Sequence, residues 1–513
     1  MLHSHTLTPP LFGSGDRRAV RAMASMATDA SSTAPAPPHI LVVPCPAQGH
    51  MLALLDLTGL LASRGLRLTV VVTPATAPQL APLLAAHPGG AVRALTLPFP
   101  RHPALPAGVE SAKHLPPALF PALIVAFAGL RAPLAAWARA RAGVPGDRVA
   151  AVLSDFFCGW TQPLAADDLG VPRLVFSPCA VYGTAVLQSL FRRMPRRADE
   201  RDDESPIAFP DLPGAPAYPW RQISALYRTL KPGEAVSDAL RQNYLWNLES
   251  DGFVLNTFRR LEERYLAAPL ADLGFQRARV VGPLAPTADA AGNRGGEAAV
   301  AASDLCAWLD GVEQDGSVVY VCFGSMAVLQ GAHAEAMAAA LERTGVAFVW
   351  AAGPEAPLPE GFEARVAAAG GRGLVVRGWA PQVAMLRHRA VGWFVTHCGW
   401  NSVLEATAAG VAMLAWPMTA DQFANARLLV DDLRAGVPVC WGGIQAAPDA
   451  DDVARVLDEA VSGRRWGDVA ARAKELAAEA AVAVREGGDS WRELEELARE
   501  LRELGREPRQ QNQ

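Results

Sequence analysis

Residues 39–44, His-Ile-Leu-Val-Val-Pro, form an apolar run with no polar alternation. A run of that kind fits a strand buried on both faces, as in the middle of a parallel sheet. The loop Cys45-Pro-Ala-Gln-Gly-His50 follows it. Residues 51–64 then read as an apolar helix stopped by Gly65, and 66–72 as the next strand. Further strands are expected at 149–154, 173–177, 252–256 and 279–281, which makes the class α/β. Residues 285–303, rich in Ala, Gly, Asp, Asn and Glu without periodicity, read as a linker. Beyond it the alternation restarts, with strands expected at 317–323, 347–351, 373–377, 391–396 and 412–416 and an Ala-rich helix at 331–344. Two such units in series predict two facing Rossmann-like domains with a cleft between them. Ligands in folds of this type lie off the carboxyl ends of the strands.

The expected organisation is a disordered extension (1–37), a first Rossmann-like domain (38–284), the linker (285–303), a second Rossmann-like domain (304–485), and a C-terminal helix with tail (486–513). The extension is read either as a plastid transit peptide, since Arg outnumbers acid there, or as upstream sequence preceding a start at Met23 or Met26; the second reading is preferred. The 192–204 charge run is expected to be a solvated loop. Near the C-terminus, Ser490 is expected to cap a last amphipathic helix carrying Trp491, Leu494, Leu497 and Leu501.

Half of the 513 residues are hydrophobic, 19% are charged, and the net charge is −5. With no densely basic stretch, nucleic acid is not an expected partner. The seven cysteines are scattered without a C-x-x-C pair, which points to a reducing compartment and gives no zinc site. The most apolar window, 115–137, is interrupted by Pro116, Pro117, Pro121, Pro133 and Arg131, so no membrane span is expected.

The chemistry concentrates late in the chain. Trp379-Ala380-Pro381-Gln382, His397-Cys-Gly-Trp400-Asn401-Ser402, Glu405, and Asp421-Gln422 fall within 44 residues. Trp379 is read as ending a strand, its ring a stacking platform for a planar base or else a core tryptophan. After His397, Gly399 permits a sharp turn, and Asn401 and Ser402 open a helix over 403–409, where free N–H groups and the helix dipole favour an anion. Glu405 also fits a capping box with Ser402. Asp421 and Gln422 suit paired hydrogen bonds to sugar hydroxyls.

This box resembles the signature of plant secondary-product UDP-glycosyltransferases. The resemblance extends over about 38–505, through the 39–50 strand and loop, Ser154-Asp155, Asn256-Thr257 and Phe323-Gly-Ser325. It implies the two-domain GT-B architecture and an inverting transfer from a UDP-sugar. The donor site it implies comprises Ser325, Trp379, Ala380, Gln382, His397, Trp400, Asn401, Ser402, Glu405, Asp421 and Gln422. His397, Asn401, Ser402 and Ser325 take the diphosphate, and Glu405 the ribose hydroxyls. Asp155-Phe-Phe-Cys-Gly-Trp-Thr and Leu169-Gly-Val-Pro-Arg173 resemble the branch that glucosylates flavonols and benzoates. Ala412, where the family often has proline, and Trp393, where a smaller residue is commoner, depart from the pattern.

Attack on a sugar C1 needs a base matched to neutral pH, a role His fills. Taken alone, His50 reads more readily as structural than as a base. The resemblance names it as the base and Asp155 as its supporting acid, an arrangement with the logic of hydrolase triads. The co-substrate is expected to be UDP-glucose, with a small lipophilic acceptor such as a flavonoid or other phenolic. No cofactor and no metal are expected, the enzyme is expected to be a cytoplasmic monomer, and the acceptor pocket is placed in loops 110–127, 180–190 and 215–245 with Phe120, Phe127, Tyr182, Trp220 and Tyr227. Asp449-Ala-Asp451 matches a metal-binding D-x-D but is read as the start of a helix over 452–460. No G-x-G-x-x-G follows the first strand and no G-x-S-x-G is present, which argues against a dehydrogenase and a serine hydrolase. A non-catalytic sugar-nucleotide sensor would not need both His50 and Asp155.

Overall fold

The computed structural model describes residues 37–113, 115–267, 277–284, 298–324 and 329–504. The extension, most of the expected linker, Ser325 and the C-terminal tail lie outside them.

Two parallel sheets organise the chain. The first contains β1 (His39–Val43), β2 (Arg67–Val72), β3 (Val92–Thr96), β4 (Val149–Asp155), β5 (Arg173–Ser177), β8 (Gly252–Leu255) and β9 (Ala278–Val280), in the order β3-β2-β1-β4-β5-β8-β9. A small antiparallel hairpin of β6 (Pro206–Ala208) and β7 (Ala217–Pro219) stands apart. The second sheet contains β10 (Val318–Cys322), β11 (Ala347–Ala351), β12 (Gly373–Val376), β13 (Val391–Thr396), β14 (Ala412–Ala415) and β15 (Gly436–Pro438), in the order β12-β11-β10-β13-β14-β15. All five residues of β1 are buried, as its unbroken apolar pattern requires.

In each sheet the strand order reverses once, between β1 and β4 and between β10 and β13. Connections diverge to opposite sides at such a point and open a crevice at the strand ends. The loops after β1, β4, β10 and β13 therefore sit where ligands bind in folds of this kind.

Packing joins the two sheets into one body. A single hydrophobic cluster runs from Leu41, Val152 and Phe156 in the first half to Phe394, Trp400 and Leu429 in the second. The last helix, Asp489–Leu504, returns to the first sheet, where Leu494, Leu497, Ala498 and Leu501 pack with Ile40, Val42 and Leu153. Arg279 on β9 pairs with Glu493, Glu496 and Glu500 of that helix. Ser490 lies within this helix, buried, and its hydroxyl has no hydrogen-bond partner among the described residues, so the expected cap is not made.

The apolar stretch Pro117–Arg139 is long and apolar enough to cross a membrane by length and composition alone, its prolines and Arg131 notwithstanding. Its side chains Leu123, Ile124, Phe127, Leu130 and Leu134 belong to the core instead. Trp393 and Ala412, the two departures from the family pattern, are paired in register on β13 and β14 and buried in one cluster. The large residue lies beside the small one.

Candidate functional site

The helix after β1 begins at Gln48 rather than 51, so His50 stands in its first turn instead of the preceding loop. Its Nδ1 lies 2.9 Å from Asp155 Oδ2 at the end of β4. Asp155 is fully buried and His50 19% exposed. The other carboxylate oxygen, Oδ1, accepts the Phe157 backbone N–H at 2.8 Å. A carboxylate only accepts, so this contact puts the imidazole proton on Nδ1 and leaves Nε2 as the acceptor. The His50 ring stacks on Phe157 with centroids 4.8 Å apart and leans on Phe156 at 5.3 Å. The orientation is held on three sides.

At the reversal point of the second sheet the furnishings differ. His397 follows β13, and its ring occupies a slot between two glycines. A Cβ added to Gly399 would come within 2.4 Å of Nε2, and one on Gly324 within 2.6 Å. Gly324 also has φ +78°, a conformation that excludes most side chains. Burial lowers His397 to about 4, and its Nδ1 has no partner among the described residues. Cys398 next to it adopts φ +62°, a strained value for a residue with a side chain.

The following helix spans Trp400–Ala409, three residues longer at its start than expected, and its N-cap Gly399 makes no side-chain cap. Its first N–H groups are left for an anion. The capping box is therefore not formed: Ser402 and Glu405 both lie inside the helix. Glu405 Oε2 instead accepts Gln382 Nε2 at 2.8 Å, Ser402 Oγ lies 3.2 Å from the same nitrogen, and Gln382 Oε1 accepts the Tyr320 hydroxyl at 3.2 Å.

Trp379 lies beyond the end of β12, which stops at Val376, so it belongs to a loop rather than a strand. It is half-buried and outside the hydrophobic clusters, which favours the platform reading over the core one. Its carbonyl accepts the Ala299 N–H at 2.9 Å, and the adjacent Ala380 is buried.

Two neighbours on the new helix reach the first half. Trp400 Nε1 donates to the Asn256 carbonyl at 2.6 Å, and Asn401 Nδ2 to the Gly49 carbonyl at 2.7 Å, next to His50.

After β14, Gln422 Oε1 accepts two backbone N–H groups, from Met418 and Thr419, each at 2.9 Å. That fixes the amide orientation and leaves Nε2 as the side chain's remaining group. Asp421 Oδ2 accepts Asn425 Nδ2 at 2.9 Å, and the same nitrogen lies 3.0 Å from the Cys398 carbonyl. Asn425, one helical turn after Asp421, was missed in the sequence, although its i, i+4 spacing is a legible signal. Asp421 lines a pocket with Gly183, Val186, Leu187, Tyr218 and Ser224 of the first half.

Two of the three loops expected to hold the acceptor thus meet at this pocket. Phe120, from the third, packs edge-on against Phe157 beneath His50. Three of the aromatics assigned to the pocket are core residues instead: Phe127 packs on Trp160, Tyr182 stacks on Tyr265, and Tyr227 is buried with its hydroxyl on the Pro195 carbonyl. Asp449 Oδ1 caps the helix Ala450–Val461 through the Asp451 N–H, and Asp451 pairs with Arg343.

Residues 38–167 match the glycosyltransferase N-terminal domain profile, and 283–463 the UDP-glucoronosyl and UDP-glucosyl transferase profile. Flavonol 3-O-glucosyltransferase UGT89B1 of Arabidopsis thaliana is 44% identical over 86% of this chain and 91% of its own length. UDP-glycosyltransferase 89B2 of Stevia rebaudiana is 46% identical over 83% of this chain and 89% of its own. Among solved structures, Arabidopsis thaliana UGT89C1 complexed with UDP-L-rhamnose superposes with a TM-score of 0.74 at 35% identity, covering 91% of this chain and 99% of that one. Paired reversal points, the late-chain box and relatives of this identity over nearly full length agree: the chain belongs to the plant secondary-product UDP-glycosyltransferase family and is a UDP-glycosyltransferase of GT-B fold.

Proposed function

We propose that the chain is a UDP-glucose-dependent glucosyltransferase that forms a β-O-glucoside on a flavonoid or another small phenolic. The observation that carries the proposal is the 2.9 Å contact between His50 and buried Asp155, one residue from the Gly49 carbonyl that the uncapped helix of the second half engages through Asn401. The name of the Arabidopsis flavonol 3-O-glucosyltransferase supports the acceptor class.

In this reading the first half, 38–284, holds the acceptor and the second, 304–485, the donor. Trp379 stacks on the uracil, with Ala380 and Gln382 beside it. Glu405 holds the ribose. His397, Asn401 and Ser402 take the diphosphate, with Ser325, and Trp400 anchors the helix start. Asp421 accepts from sugar hydroxyls, and Gln422, whose oxygen is engaged, donates to one.

His50 Nε2 removes the acceptor hydroxyl proton as the oxygen attacks C1. The C1–phosphate oxygen bond breaks on the opposite face, its electron pair leaves with UDP, and the anomeric centre inverts. Asp155 holds the resulting imidazolium by Nδ1–H. The helix N-terminus bears the leaving charge, so no metal is required. The enzyme acts as a cytoplasmic monomer.

The test is glucoside formation from UDP-glucose and a flavonol panel in EDTA-treated buffer. Product formation with inverted configuration supports the reading. Turnover that needs added Mn²⁺, or none with any phenol, overturns it. A second reading changes only the sugar: the solved relative complexed with UDP-L-rhamnose makes rhamnose the alternative, and competition between the two donors decides.

A further inference from the structure

Arg173, the first residue of β5, is fully buried, yet its guanidinium meets no carboxylate among the described residues; the one carboxylate bonded to Arg173, that of Asp251, accepts its backbone N–H at 3.0 Å. A buried guanidinium is costly without compensation, and here it is spent on one turn. Its Nε donates to Ser154 Oγ at 2.9 Å and to Thr161 Oγ1 at 2.7 Å. Its Nη2 donates to Asn247 Oδ1 at 2.9 Å and reaches the Cys158 carbonyl at 3.3 Å. Asn247 Nδ2 in turn holds the Phe156 carbonyl at 2.8 Å. Asn243 holds the Phe157 carbonyl and the Trp160 N–H at 2.8 and 2.9 Å. At Gly159 a Cβ would lie 1.8 Å from the Asn243 carbonyl oxygen, so the clamp closes only on glycine. The clamped turn carries the Phe157 N–H that fixes Asp155 and the ring that stacks on His50.

Charge follows the same route. Asp155 and Glu249 are the carboxylates whose fields act on Arg173, and burial lowers the guanidinium to about 9. The other ionisable groups around the cluster are Cys45, Cys158, Cys179, Tyr244, Asp421 and the exposed Asp251, which accepts the Arg173 backbone N–H. Burial pushes the three thiols and the Tyr244 phenol up, so they stay neutral. The buried charges are then Asp155 and Arg173, while Glu249 is exposed and Asp421 half-buried. A buried carboxylate favours the protonated form of an imidazole beside it, and a buried cation close to that carboxylate opposes the effect.

We propose that Arg173 is the positioning residue and counter-charge of the His50–Asp155 pair, holding the 156–161 turn and tempering the basicity of His50. The proposal rests on the reading of His50 as base. Three variants separate its parts in the pH profile of kcat/KM, measured with UDP-glucose and a weakly acidic phenol, with UDP binding as the check on folding. Arg173→Gln removes the charge and is expected to move the acid limb to higher pH by about one unit. Asn247→Asp neutralises the guanidinium in place and is expected to move it the same way. Arg173→Lys keeps the charge but loses the fork, so kcat falls while the limb stays. An unmoved limb in Arg173→Gln or Asn247→Asp that still binds UDP overturns the proposal, as does an equal shift in Arg173→Lys. If Arg173→Gln no longer binds UDP, Asn247→Asp and Arg173→Lys decide. Full activity in His50→Ala would instead remove the base reading itself, a result distinct from all of these.

Discussion

The two sheets reverse their strand order in the same way, yet the two reversal points are furnished differently. At the first, side chains converge: an imidazole, a buried carboxylate, two phenylalanine rings and, behind them, a buried guanidinium. At the second, the backbone dominates, with two glycines around one imidazole, a strained Cys398 and a helix start without a cap. Moving a proton demands groups whose affinities are set by neighbours, whereas holding an anion demands open N–H groups and room for close approach. Topology places both crevices; the residues after each strand decide what each can do.

Mutations at the two points are expected to fail in different ways. The largest effect is expected for His50→Ala, a loss of roughly 10²–10⁴ in kcat with UDP affinity nearly unchanged, seen by comparing turnover with UDP titration. Asp155→Asn should follow with a smaller loss. Parallel losses in turnover and UDP binding would erase the distinction between the two points.

A second difference is the charge state of the second imidazole. His397 is lowered to about 4 by burial, from an ordinary 6.5. Between those values the unfolded chain binds the proton that the folded chain refuses, so stability falls as pH drops through this window, by up to ~3 kcal/mol. His397→Gln should flatten this part of the pH–stability curve in denaturant titrations, and an unchanged slope would assign it to other groups.

Gly399→Ala is next in size. Its Cβ must displace the His397 ring, so UDP affinity should fall about tenfold to a hundredfold, a cost typical of overpacking, while the pH profile of the remaining turnover stays put. The smallest effect concerns the sugar. With its oxygen engaged by two N–H groups, Gln422 can only donate, and Gln422→His should narrow the preference for UDP-glucose over UDP-galactose by about tenfold. Competition assays with both donors would show it; a wild-type preference for another sugar would leave the contrast between the halves intact and remove only the glucose assignment.

How much of this was legible in the sequence follows the same division. The unbroken apolar runs of β1, β10 and β13 revealed the parallel sheets, and the late-chain box marked the second crevice almost entirely. Short edge strands such as β3 and β15 were missed, because few of their residues are buried on both faces or the run is too brief to show a pattern. Helix starts at 48 and 400 were placed three residues late, since neither carries a capping side chain to announce it. The clamp of Arg173, Asn243 and Asn247 was invisible for another reason: Arg173 lies 74 residues from Asn247, and the turn the two asparagines hold lies more than 80 residues before them, so the parts meet only through tertiary packing. Three aromatics of the first half, Phe127, Tyr182 and Tyr227, were misplaced because phenyl and phenol rings serve cores and pockets equally well.

The hydrogen bonds from Trp400 and Asn401 to the first half end on main-chain carbonyls, those of Asn256 and Gly49. A carbonyl is supplied by every amino acid, so these two bonds ask for a loop shape and not for particular residues, whereas Asp432 is matched side chain to side chain with Arg264 and Tyr265 of the first half. Domain exchange between relatives should therefore tolerate a foreign first half at these two bonds, provided the partners of Asp432 are kept. The C-terminal helix sets the opposite condition, because Arg279 and its three glutamates are matched side chain to side chain. A working chimera would take its last helix from the same parent as its first sheet.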